Sequence, residues 1–116
     1  MNHLDFGARG EDLAAKYLSD LGYQIIQRNY KNKIGELDII ALDGQVLVIV
    51  EVKTRKNLRY GHAFEAVDER KQRKIKDTTL VYLQEEKLNY LQCRFDVIEV
   101  YPYNNKECNH FIDAFW

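Results

Sequence analysis

The sequence predicts an α/β protein built on a mixed sheet, and three observations predict it. Two segments carry helical periodicity, Asp43-Gly44 sits between two strand-like runs, and a long charged segment separates two apolar strands. The expected order is α-β-β-β-α-β, with the helices flanking a central sheet.

The first helix runs from about Phe6 to Leu21, with Leu13, Ala14, Tyr17, Leu18 and Leu21 on one stripe. Gly22 suits the left-handed position just past its end. Tyr23 to Tyr30, rich in Tyr and Ile, reads as a strand, and Lys31 to Gly35 as a polar turn. Glu36 to Leu42 and Val46 to Thr54 are the next two strands. The run Leu47-Val48-Ile49-Val50 suits a strand covered on both faces at the centre of a sheet. Asp68 is placed to cap a helix from about Glu69 to Leu88, whose stripe is Ile75, Thr79, Tyr82 and Leu83. Cys93 to Tyr101 follows as a strand, with Phe95 and Val97 on one side and Ile98 and Val100 on the other or at a bulge. A short last strand is placed around Phe111. The third strand, long helix and fourth strand form a crossover, so those two strands should run parallel and the crossover should be right-handed.

At 116 residues the expectation is one domain spanning 1–116. No apolar run reaches the roughly 18 residues that a membrane span requires. Met1 to Gly10 carries Asp5 and Arg9 and lacks the apolar stretch of a secretory signal. Cys93 and Cys108 fit neither a zinc knuckle nor a redox pair, so reduced thiols in a cytoplasmic protein are expected. The net charge is −1, yet Lys53 to Lys76 holds nine basic and three acidic residues and carries +6, against −7 for the remainder. One region could therefore face phosphate while the rest repels it; a solvated helix face is the plainer reading of a charge run taken alone.

The hairpin register carries the chemistry. With Asp43-Gly44 as a two-residue turn, Leu42 faces Gln45, Asp38 faces Ile49 and Glu36 faces Glu51. Alternation then puts Asp38, Ile49, Glu51 and Lys53 on one face, with Asp38 and Glu51 diagonal neighbours roughly 7 Å apart. Two carboxylates so placed can share a hard divalent cation, Mg²⁺ or Mn²⁺. Glu51 interrupts an apolar strand, where a carboxylate is costly unless paired or metal-bound. Alone, Glu51-Val52-Lys53 is an ordinary structural ion pair. Asp38 and a secondary acid, Glu36, join it from the neighbouring strand. Glu11 joins from the first helix, where Gly10 would permit close approach to the sheet. Glu11 and Asp12 read equally well as first-turn acids favoured by the helix dipole.

The chemistry that fits is phosphodiester hydrolysis. Asp38 and Glu51 would hold the metal, and the backbone carbonyl of Val52 would add an oxygen. Lys53 would orient water or neutralise developing charge. Arg55, Lys56, Arg59, Lys71 and Lys74 would hold backbone phosphates, which positions a nucleic acid without reading its sequence.

Gly35-Glu36-Leu37-Asp38 followed by Glu51-Val52-Lys53 resembles the PD-(D/E)xK nuclease superfamily. Gly10-Glu11, Arg28-Asn29, the GELD and VEVKTR runs, Arg94-Phe95-Asp96 and Asp113-Ala114-Phe115, in that order, resemble the YraN-like family of bacterial proteins. The superfamily's proline before the metal-binding Asp is replaced by Leu37, as in many members. The resemblance implies a restriction-endonuclease-like core similar to archaeal Holliday junction resolvases, with Glu11, Asp38, Glu51 and Lys53 as the active-site set. The functions it leaves open are a Mg²⁺- or Mn²⁺-dependent endonuclease acting on branched or damaged DNA, a nucleic-acid-binding module with little or no hydrolysis, and a protein-interaction factor. A homodimer would be needed by the resolvase reading only.

Of the remaining residues, His3, His62 and His110 have no metal-ligand spacing between them. Tyr60 is the best placed of eight tyrosines to stack on a base, whereas Tyr17, Tyr82 and Tyr101 sit on apolar stripes and read as core. Arg94 and Asp96 share a strand face and should pair, a modest contribution if exposed.

Overall fold

A computed structural model describes residues 3–56, 67–89 and 91–115. In chain order the elements are α1 (His3–Asp20), β1 (Gln24–Lys31), β2 (Glu36–Asp43), β3 (Val46–Thr54), α2 (Glu69–Glu85), β4 (Gln92–Tyr101) and β5 (Glu107–Phe111). The strands form one sheet in the order β1-β2-β3-β4-β5. Only β3 and β4 are parallel, joined by the crossover that contains α2; the other neighbours are antiparallel. This is the expected mixed α/β architecture with the short fifth strand present, and it is consistent with a restriction-endonuclease-like core.

The central strands are apolar because both faces are covered. On one face Ala14 and Leu18 of α1 pack on Ile39, Ala41, Val48, Val50, Ile98 and Val100. On the other, Ile75, Tyr82 and Leu83 of α2 pack with Leu37, Ile40, Leu47, Ile49, Phe95 and Val97. Each fully buried aliphatic side chain contributes about 1.5–3 kcal/mol relative to exposure. Leu21, assigned to the α1 stripe, is 54% exposed because the helix ends before it. Cys93 and Cys108 pack on opposite faces of the sheet, so they cannot reach each other.

α2 starts where the sequence placed it. The Asp68 carboxylate accepts from the Lys71 N–H at 2.9 Å, occupying an otherwise unpaired donor of the first turn. It stops short of Leu88. Lys87 is left-handed (φ 57°), and the Leu88 N–H returns to the Leu83 carbonyl at 2.8 Å. That closure usually carries glycine; here lysine occupies it, so no stop signal is visible in the sequence.

Gly10 has the role expected of it. A methyl group added there would collide with the Thr54 side chain, 2.6 Å from its Cγ2 and 2.8 Å from its Cβ. α1 therefore crosses the end of β3 at backbone distance, which sets the height of Glu11 above the sheet. Gly10→Ala should be destabilised by about 1–3 kcal/mol, despite alanine's better helix propensity, because α1 must lift off Thr54. A urea unfolding midpoint at or above that of the parent protein would contradict this.

The β2–β3 register departs from the expectation. Asp43 pairs with Val46, so Gly44-Gln45 is the turn, and Ile40 faces Ile49. The cause is Gly44, whose φ of 62° belongs to the first central position of a two-residue hairpin turn, a position that favours glycine. The slip amounts to two residues, so the face of Glu51 is unchanged, but Asp38 moves level with Glu51. Glu36 does not face Glu51. It pairs with Lys31 of β1 and is exposed.

A second departure lies beside it. Arg28 reaches α1, while Tyr30, two residues on, packs edge-on against Tyr82 of α2 at 5.0 Å. In a regular strand the two would share a face. Asn29 breaks the alternation with φ 54°, a conformation asparagine tolerates better than most residues. Across from it Leu37 and Ile39 also point to opposite faces, so Asp38 sits at a matching break. No helix among the described residues is long and apolar enough to cross a membrane.

Candidate active site at the β2–β3 fork

Ladder pairing between β2 and β3 stops at Ile39–Val50. Beyond it the Asp38 carboxylate fills the gap, accepting from the Val52 N–H at 2.8 Å through Oδ2. The structure thus ties Val52 to Asp38 through its N–H. Because alternation is broken at Asp38, its charge lies between the two layers and acts on both Glu51, on the α2 face, and Glu11, on α1. Burial pushes the Asp38 carboxyl up to about 6, with Glu51 adding to the rise. The Val52 N–H and the Lys71 and Lys53 ammonium groups oppose it.

Glu51 is buried in its apolar strand, and its Oε1 lies 3.6 Å from Lys53 Nζ and 3.7 Å from Lys71 Nζ. Lys53 follows from alternation along β3. Lys71 comes from the first turn of α2, fixed there by the Asp68 cap. Glu11 is turned toward Arg28, whose Nε is 3.1 Å from its Oε1, while Arg28 Nη2 holds Asp12 at 2.7 Å. Burial raises the Glu11 carboxyl and Arg28 restrains the rise. The pair Arg28-Asn29 therefore has two jobs: one residue anchors α1, the other bends the strand opposite Asp38.

The remaining sequence-predicted residues divide by place. Lys74 lies farther along α2, in a groove with Lys71 and Glu36. The Arg55 backbone N–H bonds to the Val100 carbonyl, and its Nε is buried with no hydrogen-bond partner among the described residues. Lys56 Nζ stands 5.9 Å above the Phe6 ring, on the α1 side. Arg59, Tyr60 and His62 lie outside the described residues.

Two features escaped the sequence reading. Glu99 of β4 pairs with Lys53 and, by alternation, shares its face. It is fully buried and accepts from Asn109 Nδ2 at 2.9 Å and from the Tyr101 hydroxyl. Ile98-Glu99-Val100 carries the same signal as Val50-Glu51-Val52, an acid inside an apolar strand, and would have identified it. The other is on the opposite face. Asp96 is fully buried, bonded to Arg94 at 2.9 and 3.0 Å, to His110 Nε2 at 2.7 Å and to the Asp113 N–H at 2.9 Å. Arg94 extends the network to Asp43 and Tyr23, and His110 extends it to Tyr17. The Arg94–Asp96 pair was expected and its burial was not, and His110, which sequence spacing linked to nothing, belongs to the same network.

The donor chemistry at the fork suits a hard divalent cation. Asp38 and Glu51 are adjacent oxygen donors; burial and the Glu51 charge keep the Asp38 carboxyl raised against two lysines, and a cation bound there would favour its ionised form. Among the described residues no three His, Cys, Asp or Glu side chains gather into a ready metal cage. Water or the Val52 carbonyl would have to complete a coordination shell around this pair.

The fold and the fork together define a small mixed α/β protein whose polar centre combines carboxylates and lysines at the end of a central strand. The chain belongs to the uncharacterised protein family UPF0102, the YraN-like family that its motifs resemble: the family's sequence model matches residues 10–100. Similar relatives include a UPF0102 protein of Caldanaerobacter subterraneus, 44% identical over 99% of this chain and 98% of its own length. One from Rhodococcus opacus is 46% identical over 85% and 84%. Another, from Clostridioides difficile, is 42% identical over 99% and 100%.

Proposed function

We propose that this protein is a Mg²⁺- or Mn²⁺-dependent endonuclease that hydrolyses DNA phosphodiester bonds, with branched or damaged DNA as its substrate. The observation that carries the reading is the Asp38 carboxylate at the fork, level with Glu51 and with Lys53 and Lys71 beside it. Asp38 and Glu51 would hold the cation, with the Val52 carbonyl and Glu11 on its margin. Bound there, the cation would supply an acidified water and neutralise charge on the phosphate. Lys53, anchored by Glu51 at 3.6 Å, presents its ammonium to the reacting phosphate and steadies the attacking water. Lys71 adds a second fixed positive charge from α2, and burial of Glu51 keeps competing water from its anchor.

A nucleic-acid-binding module without hydrolysis is the second reading. It is favoured by the commitment of Glu11 to Arg28 and of Glu51 to two lysines. Metal binding separates the two. A raised Asp38 carboxyl binds its proton more tightly in the folded than in the unfolded chain. Ionised Asp38 therefore costs stability above about pH 6, roughly 3 kcal/mol, and the cost fades as pH falls from 6 toward 4. In EDTA at pH 7.5, Asp38→Asn should melt several degrees above the parent protein, with the advantage gone near pH 4. Millimolar Mn²⁺ should raise the melting temperature of the parent and leave Asp38→Asn unmoved. A parent protein indifferent to Mn²⁺ would move the conclusion to the binding module.

A further inference from the structure

The polar turn between β1 and β2 is not a free loop. Asn32 Oδ1 accepts from the Ile34 and Gly35 N–H groups at 2.9 and 3.2 Å. Its Nδ2 donates to the Tyr30 hydroxyl and to the Thr78 carbonyl of α2 at 3.0 and 3.2 Å. Gly35 lets the turn lie against the helix: a methyl group there would sit 2.9 Å from Thr78 Oγ1 and 3.3 Å from Lys74 Cε. The Lys74 stem is therefore laid across Gly35.

Between turn and helix runs a groove of about 250 Å³ whose lining includes Lys31, Lys33, Lys71 and Lys74. Glu36 is its only acid among the described residues, and it is exposed. Lys31, Lys33 and Lys74 are exposed and Lys71 is held by Glu51, so the groove presents a net positive charge to solvent that a polyanion would neutralise. Lys71 belongs both to this groove and to the Glu51 ion pair, so groove and fork form one continuous path. At its far side Ile34 and Lys74 also border a second depression, where Arg70 and Arg73 stand beside Glu69 and Asp77, so the net positive charge belongs to the first groove.

We propose that this groove carries the sugar–phosphate backbone of a nucleic acid strand leading away from the fork, with Lys31, Lys33 and Lys74 contacting successive phosphates. The assignment adds the β1–β2 turn to the substrate surface and makes the ligand a polymer rather than a single nucleotide. Its place as the strand's path away from a reacting phosphate rests on the nuclease reading, but its binding does not require hydrolysis.

The test is equilibrium binding of single-stranded and duplex DNA in EDTA, measured by fluorescence anisotropy across a salt series. Parent protein is compared with a Lys31→Ala, Lys33→Ala double variant that keeps the Asn32 anchor and leaves the fork untouched. The double variant should bind at least tenfold more weakly with an unchanged melting temperature. Its plot of log affinity against log salt should be shallower by about 1.8 for duplex or about 1.4 for single strands. Affinity and slope equal to those of the parent, or no binding by the parent, would overturn the groove. Polyglutamate competing as well as DNA of equal charge would overturn it in favour of an acidic protein segment. Cleavage with Mn²⁺ or Mg²⁺ is scored separately. Binding that depends on Lys31 and Lys33 without any cleavage sustains the groove and removes the nuclease reading; cleavage by a double variant of unaltered affinity does the reverse.

Discussion

Glu51→Gln should lower metal-dependent DNA cleavage by 10³-fold or more, about 4 kcal/mol of transition-state stabilisation, while the protein remains folded. The amide keeps the shape of the side chain inside β3 but offers a cation no charge. It also releases Lys53 and Lys71 from the one carboxylate oxygen that holds both. Lys53→Ala should lose cleavage too, yet retain the Mn²⁺-induced rise in melting temperature, because the acids proposed to hold the ion are intact. The measurement is cutting of labelled single-stranded, duplex, flap and four-way-junction DNA with Mg²⁺ or Mn²⁺. Cleavage by Glu51→Gln at the parental rate would remove the fork from the mechanism, whatever else the protein cuts.

The largest effect on stability should come from the opposite face of the sheet. Asp96→Ala removes the carboxylate that holds Arg94 and His110, leaving a half-buried guanidinium and a buried imidazole without their shared partner. Breaking such a pair costs about 3–5 kcal/mol, on the order of 15 °C in melting temperature for a chain of this size. The effect depends on pH. Burial alone would raise the Asp96 carboxyl, but the bonds from His110, Arg94 and the Asp113 N–H lower it below its ordinary value. Its stabilisation is therefore complete above the unfolded-chain value near 4 and disappears as pH falls through the lower folded value. Thermal melts of parent and Asp96→Ala should lie far apart at pH 7 and draw together as acidification passes the lowered folded value. A constant separation across that range would mean that packing, not charge, holds this cluster.

Local features were legible in the sequence wherever one residue type does one job. Val46–Thr54 is the strand expected from its apolar run, Asp68 caps α2, and Gly10 marks the close crossing of helix and sheet. What escaped depends on choices that several residues make together. Asp-Gly announces a hairpin but not whether glycine stands first or second in the turn, and that choice moved Asp38 from diagonal to level with Glu51. Strict alternation predicts a face for each side chain. It has no means of predicting that Asn29 and Asp38 break it together and set a carboxylate between the layers. Lys87 closes α2 in a position where glycine would have been read as a stop. The partners of Asp96 come from β4 itself, β5 and the segment after it, and no periodicity reports that meeting. That Asp38 and Glu51 neighbour each other was thus readable; how Asp38 reaches its position, that Glu36 lies away from Glu51 and that Glu99 lies beside Lys53 were not.

The distortion at Asn29 has a consequence for the sheet's outer margins. β1 and β5 are the two edge strands among the described residues, and an exposed edge is a template onto which a foreign strand can add. β1 is interrupted twice, by a register shift between Ile25 and Gln27 and by the left-handed Asn29. β5 spans Glu107–Phe111 and is bracketed by left-handed Asn105, Lys106 and Asp113. Neither edge offers a long straight row of free backbone groups. The bend that seats Asp38 at the fork therefore also guards the chain against runaway strand addition and fibrous aggregation.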